Sequence, residues 1–149
     1  MFLARAELLE ILREAASEVV VPLAVLSELE AHGVDDTTVT ELRRHGWIRV
    51  IPAPEIHPSV AAWDLGPGES SVLSMALADP GSWAVLDDGR ARRCARGLRI
   101  PVIGTLGLIL LAKGLGRIPL ARPVIDRLKV SGMYLSDEVI DQVLKRAGE

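Results

Sequence analysis

The chain predicts an α/β fold: a parallel sheet covered by helices on both faces. Three observations carry this expectation. Short apolar runs alternate with segments of helical periodicity from end to end. The runs are apolar on both faces, as strands buried between helix layers must be. The 149 residues, 49% of them hydrophobic, suffice for a core without staples. One domain over 1–149 is therefore expected.

Each element has a local reason. Leu8, Ile11, Leu12 and Ala15 recur at helical spacing, so 3–16 reads as a helix. Val19-Val20-Val21 is a β-branched strand candidate, closed by Pro22, which also suits the first turn of a helix. In that helix Val25, Leu26 and Leu29 face inward, and Gly33 ends it. Asp36 is placed to cap a short helix through Arg44. A second strand covers 47–51. The stretch 52–68, with Pro52, Pro54, Pro58 and Pro67, reads as a loop. A helix over 69–78 follows, with Val72, Leu73, Ala76 and Leu77 inward. The third strand is 83–86. The next helix, 90–96, turns Ala91, Cys94 and Ala95 in and its arginines out, with Gly97 ending it. The fourth strand is 100–103. Thr105–Lys113 is nearly all apolar, so a buried helix is expected. Pro123 starts another helix, ended by Gly132. Ser136 caps the last one, whose inner face holds Val139, Ile140, Val143, Leu144 and Ala147.

Composition narrows the function classes. One cysteine, Cys94, excludes an internal disulfide framework and multi-cysteine zinc modules, and it suits a reducing cytoplasm. The longest apolar stretch, Ile100–Ala112, is too short and interrupted to span a bilayer, so no membrane partner is expected. The first residues lack the pattern of a signal peptide. Aromatics at 3% argue against base stacking on a row of rings. The net charge of −3 hides an asymmetry: 1–74 carries −7 and 75–149 carries +4. Within 89–135, ten Lys and Arg face one acid, Asp126. Such a block attracts phosphates, and it is also compatible with solvated helix faces.

Right-handed crossovers bring the strand C-termini to one edge, where ligands bind. Asp87 and Asp88 follow the third strand, Glu69 opens the helix before it, and Glu28 lies in the helix after the first strand. Carboxylates converging there repel one another unless a hard cation joins them. Mg²⁺ or Mn²⁺ so held suits phosphodiester hydrolysis. Each acid also has an ordinary local role. Glu69 suits a helix first turn, Asp88 an N-cap, and Glu28 an exposed helix face. His32, His45 and His57 show no zinc-site spacing, and Gly104-Thr105-Leu106-Gly107 lacks the third glycine of a dinucleotide turn.

Four stretches in order carry a family resemblance: Val-Val-Val-Pro-x-x-Val-x-x-Glu-Leu (19–29), Gly68-Glu69 with Ala76, Leu-Asp-Asp-Gly-Arg-Ala-Arg (86–92), and Pro-Val-x-Gly-Thr-x-Gly leading to Ala112-Lys113. Together they resemble the PIN-domain superfamily, in a prokaryotic branch related to VapC-type toxin ribonucleases. The resemblance spans nearly the whole chain. It implies a three-layer α/β/α fold and a metal-dependent ribonuclease, the toxin-like part of a toxin–antitoxin pair. Glu28, Glu69 and Asp88 match the acids that would hold Mg²⁺ or Mn²⁺, with Asp87 assisting. Thr105 and Arg92 match signature positions. RNA contacts are then expected from Arg90, Arg92, Arg93, Arg96, Thr105 and Arg117, with an antitoxin protein as a further partner.

The sequence departs from the family at its start. The family's first strand, which ends in an aspartate, has no counterpart before the first helix. Strands 19–21 and 83–86 would then flank an empty central slot, and apolar open edges recruit other strands. The expectation is direct pairing of those two strands or a homodimer, with low nuclease activity. The alternative function is a non-catalytic interaction module of the same fold.

Overall fold

The computed structural model describes residues 8–31, 40, 42 and 44–149. Residues 3–7 of the first expected helix, the Gly33 cap and most of the Asp36–Arg44 helix lie outside them. Two compact units emerge, Met1–Val19 with Thr105–Glu149, and Val20–Gly104.

The first unit is helical: α1 (Glu10–Ala15), α6 (Thr105–Gly114), α7 (Arg122–Val130) and α8 (Asp137–Ala147). Helix α6 packs against α1 and α8. Its buried side is Thr105, Leu108, Ile109 and Ala112. Burial all round was expected, but Leu111 is 40% exposed. Contacts on one side cover one stripe, and the rest faces water despite its apolar side chains. Helix α7 starts with proline in its first turn, and Ile125 and Leu128 are fully buried. Ser136 caps α8 by accepting from the Val139 N–H at 3.4 Å. The Glu149 carboxylate accepts from the Ala121 and Arg122 N–H groups at 2.6 and 3.1 Å and pairs with Lys113 at 3.2 Å. A charged cap thus ties the chain end to the start of α7.

The second unit mixes strands and helices: β1 (Val19–Pro22, beginning one residue earlier), α2 (Leu23–Ala31), β2 (Ile48–Ile51), α3 (Pro58–Ala61), α4 (Pro67–Ala78), β3 (Ala84–Val85), α5 (Gly89–Gly97) and β4 (Val102–Ile103). The expected α/β class holds. Helix α4 is central, with α2, α3, α5 and β3 packed on it. Val60, Leu73, Ala84, Leu86, Ala91, Cys94, Ala95 and Ile100 form a buried cluster. Burial pushes the Cys94 thiol above its ordinary range, which suits a small core residue rather than a nucleophile.

Strands β3 and β4 are parallel, with Ala84 opposite Val102 and Val85 opposite Ile103. Ala84 and Leu86 donate to Pro101 and Ile103 carbonyls, each at 2.9 Å. Strands β1 and β2 form a separate pair. Among the described residues β1 does not pair with β3, so the expected direct closure of 19–21 on 83–86 does not occur. The N–H groups of Ala84 and Leu86 point to β4, so the other edge of β3 belongs to Val85, which is 37% exposed.

Two local expectations need correction. The stretch expected as loop contains α3, which starts on Pro58 and is capped by His57, whose Nδ1 accepts from the Ser59 N–H at 3.2 Å. Helix α5 runs through Gly97 rather than being terminated by it. The left-handed residue after the helix is Arg99, at φ 58°, where the Ile100 N–H reaches the Ala95 carbonyl at 2.8 Å.

Candidate metal centre

The acids of the second unit are placed by helix starts. Helix α4 begins after Gly66, which has no side chain to cap it. The cap comes from α2 instead. Glu28 Oε1 accepts from the Gly68 N–H at 2.8 Å, across forty residues of sequence. A carboxylate at a helix N-terminus satisfies an orphan donor and meets the positive end of the dipole. The approach is close because glycine stands at both neighbouring positions. A Cβ on Gly66 would lie 2.9 Å from Glu28 Oε1, and one on Gly68 would overlap Oε2. Glycine in a helix first turn costs about 1 kcal/mol against alanine. Here the missing side chain is the space in which Glu28 sits.

Glu69 follows directly and is half-buried. Burial pushes its pKa above 4.5, and the negative charges of Asp88 and Glu28 push the same way. A hydrogen bond with the Gly66 backbone and the charge of Arg90 pull it down more weakly. The structure therefore brings Glu28 and Asp88 each within electrostatic range of Glu69.

Asp88 caps α5. Its Oδ1 accepts from the Arg90 N–H at 2.7 Å and the Ala91 N–H at 2.9 Å. The Ala91 bond, followed by others at the same helix start and the Arg90 charge, holds its pKa below 3.8 against a smaller burial effect. The ordinary capping role read from the sequence is thus present, and the Arg90 and Ala91 bonds both fall on Oδ1. Arg90 is itself fixed, because its Nη2 donates to the Trp63 carbonyl at 2.7 Å.

The remaining residues fall into two groups. Arg93 and Arg96 are exposed on α5, as Arg90 is. Arg92 is half-buried and turns back, donating from Nη1 to the Leu86 carbonyl at 3.1 Å. Asp87 stands beside it: a Cβ on Gly104 would lie 3.0 Å from Asp87 Oδ1. Thr105 and Arg117 belong to the other unit. Thr105 is 2% exposed, so its hydroxyl offers no surface contact to RNA. Arg117 is exposed and pairs with Glu14 at 3.2 Å.

From the sequence Arg90 belongs with the RNA contacts, and nothing local marks its charge beside Glu69 and Asp88. Gly66 has no role there, and Gly104 has one only in a turn pattern and a family signature. The readable clue was Gly68 just inside the helix after Pro67, where alanine would be the better helix former.

The chain belongs to the PIN domain family, whose model matches residues 1–149. No curated protein and no solved structure matches. PIN domains generally use divalent metal ions. The donor set agrees in kind: carboxylate oxygens whose mutual repulsion a cation would relieve. Among the described residues, no three His, Cys, Asp or Glu side chains are grouped tightly enough to hold a metal ion as they stand.

Glu69 makes a stability test possible. An acid whose folded pKa is raised favours folding most below its unfolded pKa, and that contribution is lost as pH rises through the folded value. At neutral pH the Glu69 charge is therefore a net cost to the metal-free protein. Glu69→Gln is expected to raise the thermal midpoint at pH 7 by about 2 °C, since solvent screening leaves well under ~1 kcal/mol. The gain should fade as pH is lowered through the raised folded value towards 4.5 and be gone below it. Thermal melts of the two proteins across pH 3.5–7.5 check this (roughly the span of carboxylate titration).

Proposed function

We propose that the second unit carries a metal-dependent ribonuclease site in which Glu28, Glu69 and Asp88 hold Mg²⁺ or Mn²⁺. The observation that supports it is the seating of Glu28 on the Gly68 N–H, next to Glu69, while Glu69 feels the charge of Asp88. Two carboxylates from two helices and one from a strand end then share one region. A cation bound there supplies charge neutralisation on a phosphodiester and lowers the pKa of water.

The chain's own groups do the rest. Asp88 is exposed and offers the carboxylate oxygen that the Arg90 and Ala91 bonds do not use. Arg90, held on Trp63, balances the acids and meets phosphate. Exposed Arg93 and Arg96 extend a phosphate-binding face along α5. Asp87 assists at the strand end. Arg117 adds basic charge in the other unit. Cleavage of a single-stranded RNA in Mg²⁺ or Mn²⁺, lost with EDTA and with Asp88→Asn, tests the reading.

The resemblance supports a toxin-like role with an antitoxin partner in the cytoplasm. The described chain has no helix long and apolar enough to cross a membrane. The exposed Val85 edge of β3 supports a homodimer. Light scattering decides the oligomer, with a stable monomer counting against it.

A second reading has its own support. Among the described residues the acids are not closed to ligand spacing, and the four strands form two pairs. Both features suit a non-catalytic interaction module. RNA binding without metal-dependent cleavage, unchanged by Asp88→Asn, would favour it.

A further inference from the structure

Arg92 lies in the basic block, yet its guanidinium points away from the arginine face. We propose that Arg92 and Gly104 form a clasp that positions the Asp87–Asp88 strand end, and that Arg92 is not an RNA contact. The functional part of this rests on reading that strand end as part of the nuclease site.

The geometry is specific. Strand β3 ends in a single ladder bond, Leu86 N–H to the Ile103 carbonyl at 2.9 Å. The Leu86 carbonyl takes the Arg92 Nη1–H at 3.1 Å. The residue before Asp87 is thus held at both backbone groups, once by β4 and once by α5. Asp88 caps the same helix. The two exposed aspartates are therefore fixed from both ends of a short turn.

Gly104 makes room for this. A Cβ built there would overlap Arg92 Nη1, lie 3.0 Å from Asp87 Oδ1 and 3.4 Å from the Leu86 carbonyl. Gly104 does not have a positive φ. Space, rather than backbone conformation, is what requires glycine. Arginine is required as well. Its planar fork places a donor at the far end of the side chain, whereas lysine offers a shorter reach and a strongly hydrated point charge.

Two measurements test the proposal. The first is a double-mutant cycle on thermal midpoints, independent of activity. Gly104→Ala should lower the midpoint in the wild-type background and lower it clearly less in an Arg92→Ala background, where the overlapping guanidinium is gone and only the contacts with Asp87 Oδ1 at 3.0 Å and the Leu86 carbonyl at 3.4 Å remain. Arg92→Gln serves the same purpose if Arg92→Ala does not fold. Equal losses in both backgrounds would overturn the clasp. The second measurement uses a single-stranded RNA oligomer in EDTA, with affinity followed against salt. Arg93→Gln should flatten the logarithmic salt slope by about 0.7, the amount for one phosphate contact on a single strand, and Arg92→Gln should leave it unchanged. A matching loss for Arg92→Gln would make Arg92 an RNA contact and overturn the proposal.

Where cleavage is measurable, Arg92→Gln and Arg92→Lys should each lower kcat about 10–100-fold at unchanged KM, as displaced positioning groups do. Restoration by lysine would contradict the positioning role. If the wild-type protein neither binds nor cleaves RNA, the nuclease reading fails, and the cycle still decides the clasp.

Discussion

Replacing Asp88 by asparagine is expected to remove metal-dependent RNA cleavage while leaving the fold in place. Asparagine is as good an N-cap as aspartate, and its amide oxygen can accept the same Arg90 and Ala91 N–H bonds. What it lacks is the charge on the second oxygen. Several kcal/mol of charge stabilisation lost at the phosphate corresponds to a rate decrease of about 100–1,000-fold. Asp88→Ala separates the two roles. It removes the cap as well, at a cost of about 1 kcal/mol in stability. A metal-dependent cleavage assay paired with thermal melts should show equal activity losses for the two variants and a stability loss for alanine alone. Equal stability losses would mean that the cap needs the carboxylate charge and not only a side-chain oxygen. Unchanged cleavage in the asparagine variant would take Asp88 out of the site.

Gly68→Ala is expected to destabilise the second unit strongly. The new Cβ would overlap Glu28 Oε2, and the position is buried. The carboxylate must leave or the helix start must move. Overpacking of this kind costs about 1–3 kcal/mol. Loss of the Glu28–Gly68 bond leaves an orphan donor at the start of α4. A displaced Glu28 should also weaken Mn²⁺ binding about 10–100-fold, the range seen when a group that orients a ligand is lost. The check is Gly68→Ala in a Glu28→Ala background. There the stability penalty of the added methyl should shrink to that of its 3.3 Å approach to Val25 Cγ2, because the carboxylate it overlaps is gone. A penalty of the same size in both backgrounds would show that the methyl meets something other than Glu28.

The strand positions were legible because each run is apolar and ends at proline, glycine or aspartate. Val19-Val20-Val21 became β1, and 47–51 became β2 without its first residue. The third and fourth runs shortened to two paired residues each. A ladder needs a partner at every rung, which composition does not reveal. Helix α3 was missed because four residues carry no periodicity, and only Pro58 at its start marks it. The apolar α6 was read as buried throughout, yet hydrophobicity alone does not say how many sides have neighbours.

At the site, the acids were legible from their places at strand and helix ends. Their supports were not. Glu28 reaches Gly68 over forty residues, and no local pattern announces so distant a cap. Arg92 was placed with the other arginines because a charge run does not show which member turns inward. Gly104 was read as part of a weak nucleotide-turn pattern. Its role is visible only once Arg92 and Asp87 are seen against it.

The most direct test of the central claim, that Glu28, Glu69 and Asp88 form a cation site, is calorimetric titration of Mn²⁺ into the metal-free protein at pH 7, beside Glu69→Gln. The account expects one binding event in the wild-type protein and its loss in the variant, even though the variant is the more stable protein without metal. Absence of binding in the wild type, or equal binding in both, would contradict it.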